Sequence, residues 1–206
     1  MLVNKKIRLG FLASGSGSSV EELVKKIRSG VLEGYYEECI VCNKPLVDGE
    51  PGIYERAERL RIPIVTSSDA VEQLRIFQEA GVDLILGLGY LKPVGKELLE
   101  VYDKKIWNIH PALLPKYGGR GMYGVHVHEA VIAAGEKETG ATVHLMNEKY
   151  DEGDILNQVR VPVFRGETVE RLQKRVLRFE YELMATTLGL FRDDLLPNCR
   201  RSELEN

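Results

Sequence analysis

The nine residues Val82–Tyr90, VDLILGLGY, are apolar almost without interruption. A strand with one wet face alternates apolar and polar side chains, whereas a strand without alternation needs cover on both faces. This run therefore demands helices above and below the sheet that contains it. The surrounding sequence supplies them. IRLGFLA (7–13), ECIVCN (38–43), IPIVTS (62–67) and KKIWNIH (104–110) read as further strands. Between them Val20, Leu23, Val24 and Ile27 recur at helical spacing, IYERAERL (53–60) is helix-like, and DAVEQLRIFQEAG (69–81) reads as a helix ending at Gly81. A short helix is expected after Pro93. This alternation predicts an α/β fold: a doubly wound, mostly parallel, Rossmann-type sheet with helices on both faces.

The second half has a different rhythm. HVHEAVIAAG (126–135) is helical in pattern, and GATVHLMNE (140–148) and DILNQVRVPV (154–163) read as two strands joined by a polar loop. Thr168 to about Phe191 reads as one long helix with Val169, Leu172, Val176, Phe179 and Leu183 as its apolar stripe. No repeat or long linker interrupts residues 1–192, which read as one domain followed by a polar tail, 193–206.

Bulk properties narrow the function classes. A net charge of -3 argues against a general nucleic-acid binder. No apolar run has the length of a membrane span, and the N-terminal one is too short for a signal peptide. Three cysteines, Cys39, Cys42 and Cys199, are too few for a disulfide scaffold. Cys39 and Cys42 share one strand at an odd offset, so they are expected as buried thiols on opposite faces. Free thiols suit a reducing cytoplasm. The expectation is a cytoplasmic enzyme with small-molecule substrates, a monomer or homodimer, with no membrane or nucleic-acid partner.

Three segments carry candidate chemistry. In LASGSGSSVEEL (12–23) a glycine-rich turn opens the first helix, a geometry that binds anions through backbone N–H groups and the helix dipole. Ser18 or Ser19, with Glu21 or Glu22 three residues on, has capping-box spacing. A dinucleotide fingerprint is incomplete, because Val20 stands where a third glycine is needed, and no Walker Lys-Ser/Thr pair follows. In WNIHP, period two puts Asn108 and His110 on one face, and Pro111 ends the ladder. Ligands of open α/β sheets bind outside the carboxyl ends of strands. There an amide and an imidazole could donate to a carbonyl oxygen becoming an oxyanion, and the imidazole could move a proton. In MNEKYDEGDIL (146–156), Glu148, Asp151, Glu152 and Asp154 crowd a turn. One of these carboxylates could orient His110, and spacing does not choose between Asp151 and Asp154. His126-x-His128 with a further histidine could ligate zinc, but no ligand-spacing signature is met, and no metal is expected.

Together SGSGSS, NIHPALLPKY and GATVHLMNEKYDEGDIL resemble the phosphoribosylglycinamide formyltransferases, folate-dependent enzymes of purine biosynthesis, over nearly the whole chain. The resemblance implies 10-formyltetrahydrofolate as co-substrate and the amine of N1-(5-phosphoribosyl)glycinamide as formyl acceptor, attacking directly through a tetrahedral intermediate. It assigns Asn108, protonated His110 and Asp151 to catalysis, because the family's aspartate precedes x-Gly. Asp151 would hold His110, raise its pKa and help relay a proton from the amine. Gly17, Ser18 and Ser19 fall on the family's phosphate site, and Glu180 falls on a glutamate that contacts the phosphoribosyl substrate. Tyr90, Leu91, Lys92, Pro93 and Val94, with Asn147, Glu148, Lys149, Tyr150 and Asp151, fall on the segments around the folate. Sugar-nucleotide or aminoacyl-tRNA formyltransferases, which usually carry an extra C-terminal domain, and formyltetrahydrofolate deformylase, which usually carries an extra N-terminal one, would share the triad. A nucleotide-binding regulatory module without catalysis is the reading from a different class. GGRGMYGVH (118–126) is longer than the family's usual loop after LLPKY.

Overall fold

The structure, a computed structural model, describes residues 6–47 and 52–195. In chain order the elements are β1 (Ile7–Ala13), α1 (Ser18–Arg28), β2 (Tyr35–Cys42), α2 (Gly52–Leu60), β3 (Ile64–Thr66), α3 (Ala70–Glu79), β4 (Leu84–Gly87), α4 (Lys96–Val101), β5 (Ile106–His110), α5 (Val125–Ala133), β6 (Glu138–Leu145), β7 (Ile155–Pro162) and α6 (Val169–Leu195). The strands form one sheet in the order β3-β2-β1-β4-β5-β6-β7. The pairings from β3 to β5 are parallel, and β6 and β7 return antiparallel.

The predicted two-sided burial is met. Ile7, Leu9, Phe11 and Ala13 of β1 pack with α1, α2 and α6, while Leu12 joins Phe77 of α3 and Leu98 of α4 on the other face. Cys42 belongs to the first cluster and Cys39 to the second, so the two thiols do face opposite ways. Both are buried and free. Gly10 is where α3 comes closest to the sheet: a Cβ there would stand 2.7 Å from the ring of Phe77.

Several boundaries differ from the expectation. The ladder of β4 holds only Leu84–Gly87 of the nine-residue run; Gly89 takes φ 72 and the chain turns away, although Leu88 and Tyr90 stay buried. At the sheet edge β3 shrinks to three residues, since Pro63 has no N–H to extend it. The long helix continues four residues past Phe191. Its buried face is Leu172, Val176, Leu183, Met184 and Leu188, whereas Phe179 is exposed and Val169 half-buried. The expected tail lies outside the described residues beyond position 195, as does Cys199.

Strand order places the switch in winding direction between β1 and β4, so the loops after β1, β4 and β5 open together at one edge. Close packing under that edge is testable. Gly10→Ala should destabilise the fold by about 1–3 kcal/mol through overpacking. Gly189→Ala, on α6 with nothing within 4 Å of the added carbon, should stabilise it by about 0.5–1 kcal/mol. Urea-unfolding midpoints measure both, and equal shifts of one sign would contradict the packing argument.

Candidate active site

A cavity of about 600 Å³ lies at this carboxyl edge. Its walls come from five places: Gly15–Ser19 at the head of α1, Leu88–Leu91 after β4, Asn108–Pro111 of β5, Gly119–Gly124 before α5, and Tyr150–Asp151 after β6. His128 of α5 and Gln173, Leu177 and Glu180 of α6 complete the lining.

The head of α1 departs from the capping box. Its N-cap is Gly17 in the left-handed region, and no side chain caps the first turn. Ser18 and Ser19 are the first helical residues, and Glu21 turns away to meet Arg56 and Arg59 of α2. Gly17 is required twice over. Its φ is 74, and a Cβ would come within 2.1 Å of Ile53. Without a side-chain cap the first N–H groups are left for water or for an anion.

At the end of β5, Asn108 and His110 lie on one face as period two requires, and both are buried. The antiparallel return of β6 pairs Asn108 with His144 and His110 with Thr142. Thr142 holds the next loop: its hydroxyl donates to Ala112 O at 2.6 Å and accepts from Leu114 N at 3.1 Å. That loop brings Tyr117 O to 2.7 Å from His110 Nε2. The hydrogen must sit on Nε2 for this bond, which leaves Nδ1 with the lone pair. Nδ1 stands 3.5 Å from Asp151 Oδ2. His144 occupies the other side. Its Nδ1 donates to Leu145 O at 2.8 Å, so Nε2 accepts from the Asn108 amide at 3.1 Å and lies 3.6 Å from Asp151 Oδ1. The second amide hydrogen of Asn108 has no acceptor among the described residues.

Asp151 takes φ 58, and Gly119 N–H donates to its Oδ2 at 2.9 Å. Burial alone would push its carboxyl up, but the imidazoles of His144 and His110 that face it and the Gly119 amide together hold it below the usual range. It is ionised at neutral pH. For His110 burial wins the other way: it lowers the imidazole's pKa despite the raising influence of Asp151 and Tyr117 O, and His144 lowers it further. This corrects the expectation of a raised, protonated His110; the resting ring is neutral. Burial, followed by His110, lowers His128 to about 4. Burial pushes Glu180 up to about 7.

The cavity thus gathers Gly17, Ser18, Ser19, Tyr90, Leu91, Asn108, His110, Tyr150, Asp151 and Glu180. It does not include Lys92, Pro93, Val94, Asn147, Glu148 or Lys149 in its wall. Lys92 and Pro93 are exposed, Val94 packs into the core, Glu148 is exposed, and Asn147 turns back to accept from Lys149 N. Asp154 is exposed, and His126 is at the surface beside Glu129. Among the described residues no three His, Cys, Asp or Glu side chains gather to hold a metal, and no helix is long and apolar enough to cross a membrane. Sequence reasoning missed His144 and Ser14 as supporting groups. Ser14 Oγ accepts from Leu91 N at 2.9 Å and lies 2.5 Å from Asn43 Oδ1, tying three loops together. It also missed Gln173 and Leu177, which the i−7 and i−3 spacing from Glu180 on one helix would have suggested.

The profile of the formyl transferase family matches residues 7–188. The chain belongs to that family. A chloroplastic phosphoribosylglycinamide formyltransferase of Arabidopsis thaliana is 36% identical over 193 residues, 90% of this chain and 65% of the plant protein. The enzyme of that name from Haemophilus influenzae is 30% identical, covering 92% of this chain and 89% of its own length. The crystal structure of glycinamide ribonucleotide transformylase 1 from Symbiobacterium toebii superposes with a TM-score of 0.81 at 29% identity, over 96% of this chain and 92% of that one.

Buried neutral histidines in the cavity wall make stability depend on acid. His128 has its folded-state pKa below the unfolded 6.5, so its contribution is complete above pH 6.5 and is lost as pH falls toward about 4. Its Nδ1 has no hydrogen-bond partner among the described residues. In His128→Gln the drop in Tm between pH 6.5 and 4.5 should be smaller than in the wild type by at least about 2–4 °C, the shift that 1 kcal/mol produces at this size. Parallel Tm–pH curves would refute the assignment.

Proposed function

We propose that this chain transfers the formyl group of 10-formyltetrahydrofolate to the amine of N1-(5-phosphoribosyl)glycinamide in purine biosynthesis. One observation carries the reading: Asn108, neutral His110 and ionised Asp151 converge beside the uncapped head of α1. The residues fit both substrates. Gly17, Ser18 and Ser19 offer backbone amides to a phosphate, with Glu180 across the cavity for the sugar or glycinamide portion. Tyr90, Leu91 and Tyr150 wall the side that takes the flat pterin, with Lys92–Val94 and Asn147–Lys149 as the flanks of that subsite.

The chemistry follows from the protonation states. The acceptor amine forms a bond to the formyl carbon, and the carbonyl oxygen takes the negative charge. The free N–H of Asn108 donates to that oxygen. His110 Nδ1 accepts the amine proton, and the imidazolium so formed lies beside Asp151, which stabilises it without being protonated. The same proton then goes to the departing folate nitrogen as its bond to the formyl carbon breaks. Asp151 therefore acts on a cation that exists during turnover, not on the resting ring. The protein acts on small molecules, as monomer or homodimer, in the cytoplasm, where Cys39 and Cys42 stay reduced.

The test supplies purified protein with 10-formyltetrahydrofolate and either phosphoribosylglycinamide, a sugar-nucleotide amine or water alone, and follows tetrahydrofolate release. Release with phosphoribosylglycinamide alone is expected; equal release with water would sink the reading. Asp151→Asn should lower kcat by about 10²–10⁴-fold, with Asp154→Asn within about twofold of wild type. Equal losses would mean that the wrong carboxylate has been assigned. A base whose pKa is lowered should put the acid limb of kcat/KM at a midpoint below pH 6.5. A limb centred above 6.5 would contradict the neutral resting imidazole.

A further inference from the structure

In the segment Gly118–Gly124, GGRGMYG, only the Gly119 amide has a role above, and Arg120 has none. Its local geometry is specific. Met122 N donates to Gly119 O at 3.0 Å, closing a four-residue turn, and the third residue, Gly121, takes φ 89. That combination is the signature of a type II turn, which reserves its third position for glycine. The second residue is Arg120. The first, Gly119, is the residue whose N–H binds the carboxylate of Asp151. The turn is thus docked on the catalytic aspartate, with an arginine one residue from the dock. Beyond it, the Tyr123 ring stacks edge-on against His126, and His126 N bonds Tyr123 O, so the far end is tied to the start of α5.

Charge makes this placement informative. Arg120 is the only lysine or arginine among the described residues that line the cavity. Its guanidinium has no ion pair or hydrogen bond to another described residue, in contrast to Arg56, Arg59, Arg160 and Arg175, which all meet carboxylates. The other ionisable groups of the wall include two carboxyls, Asp151 and Glu180, and two buried neutral imidazoles. Side-chain charge without Arg120 would be negative, yet both substrates proposed above are anions. Lys92, the cation expected near the folate, is exposed and outside the wall.

We infer that Arg120 is a substrate-binding and specificity residue, whose guanidinium pairs with an anionic oxygen group of a bound substrate, a phosphate or a carboxylate. A planar fork suits either group through paired N–H donors. The turn places this charge beside the reaction centre without taking it from Asp151, because the aspartate's contact is with the backbone of Gly119 and not with the arginine.

This rests on the proposed formyl transfer, and the experiment separates the two. Wild type is assayed first with phosphoribosylglycinamide and 10-formyltetrahydrofolate; no turnover there defeats the proposed function itself. With wild-type turnover established, Arg120→Ala and Arg120→Lys are compared with four substrates: the acceptor with and without its phosphate, and the folate with and without its glutamate. In Arg120→Ala the KM of one anionic substrate should rise about 10–100-fold, the effect of a lost charge-assisted hydrogen bond. That penalty should vanish when the substrate lacks its anion, and Arg120→Lys should recover part of it. Loss of the penalty on removing the phosphate assigns Arg120 to the acceptor, and its loss on removing the glutamate assigns it to the folate. Unchanged KM values, the same rise with the uncharged analogues, or a fall in kcat alone would each overturn the inference. A Tm within about 2 °C of wild type confirms that the variants are folded.

Discussion

The half-buried carboxylate of Asp151 is the interaction on which the arrangement of the site depends. It faces His110 of β5 and His144 of β6 at 3.5 and 3.6 Å and accepts the amide of Gly119 at 2.9 Å. A charge largely out of water costs several kcal/mol unless its oxygens are engaged. Here Oδ2 takes the Gly119 N–H, an imidazole faces each oxygen, and each partner belongs to a different segment. The compensation therefore fixes positions: the two strands and the loop before α5 must meet at one point for the carboxylate to be tolerated. Asp151's left-handed backbone belongs to the same constraint, since aspartate tolerates that region better than most side chains.

How far the sequence foretells this depends on the range of each contact. Asn108 and His110 are two apart on one strand, so strand periodicity and Pro111 suffice to place them. The cover on both faces of β4 is equally local, because a run without alternation has few other ways to be buried. Pairings across the fold are less legible. His144 reaches Asn108 through the antiparallel register of β6 on β5, and nothing near position 144 announces that register. Asp151 and Asp154 stand three positions apart in one loop, and family resemblance rather than spacing singled out the first. The missing capping box has a tertiary cause: Ile53 of α2 packs where a Cβ at position 17 would be, and Arg56 and Arg59 draw Glu21 away from the helix head. A sequence pattern for capping records local propensity, and here packing between helices overrides it.

Protonation shows the same competition between local and non-local terms. From sequence, a carboxylate beside a histidine suggests an imidazolium. In the folded chain β6, the loop carrying Tyr117 and α5 enclose His110, and the loss of water outweighs the attraction of Asp151. The outcome suits the proposed chemistry better than the simple expectation. A ring that is already charged could not take the amine proton, whereas a neutral ring beside a fixed anion can take it with the stabilising charge in place. The anion costs little reorganisation at that moment, because Gly119 and His144 have positioned it beforehand.

The long loop after β5 is best understood through its two ends. Thr142 clamps the stretch from Ala112 to Leu114, so the backbone is fixed where it must supply Tyr117 O to His110. Farther on, Gly119, Gly121 and Gly124 all take positive φ, and a Cβ added at any of them would meet nothing within 4 Å. Glycine is needed there for conformation and not for close packing, which is the mark of a segment whose path is set by its turn. A longer loop costs only a small extra closure entropy, about 0.6 kcal/mol per doubling of length. Against that, it brings a guanidinium to a wall that has no other fixed cation among its described residues. The turn docks Gly119 on Asp151 and sets the next residue, Arg120, at the cavity wall.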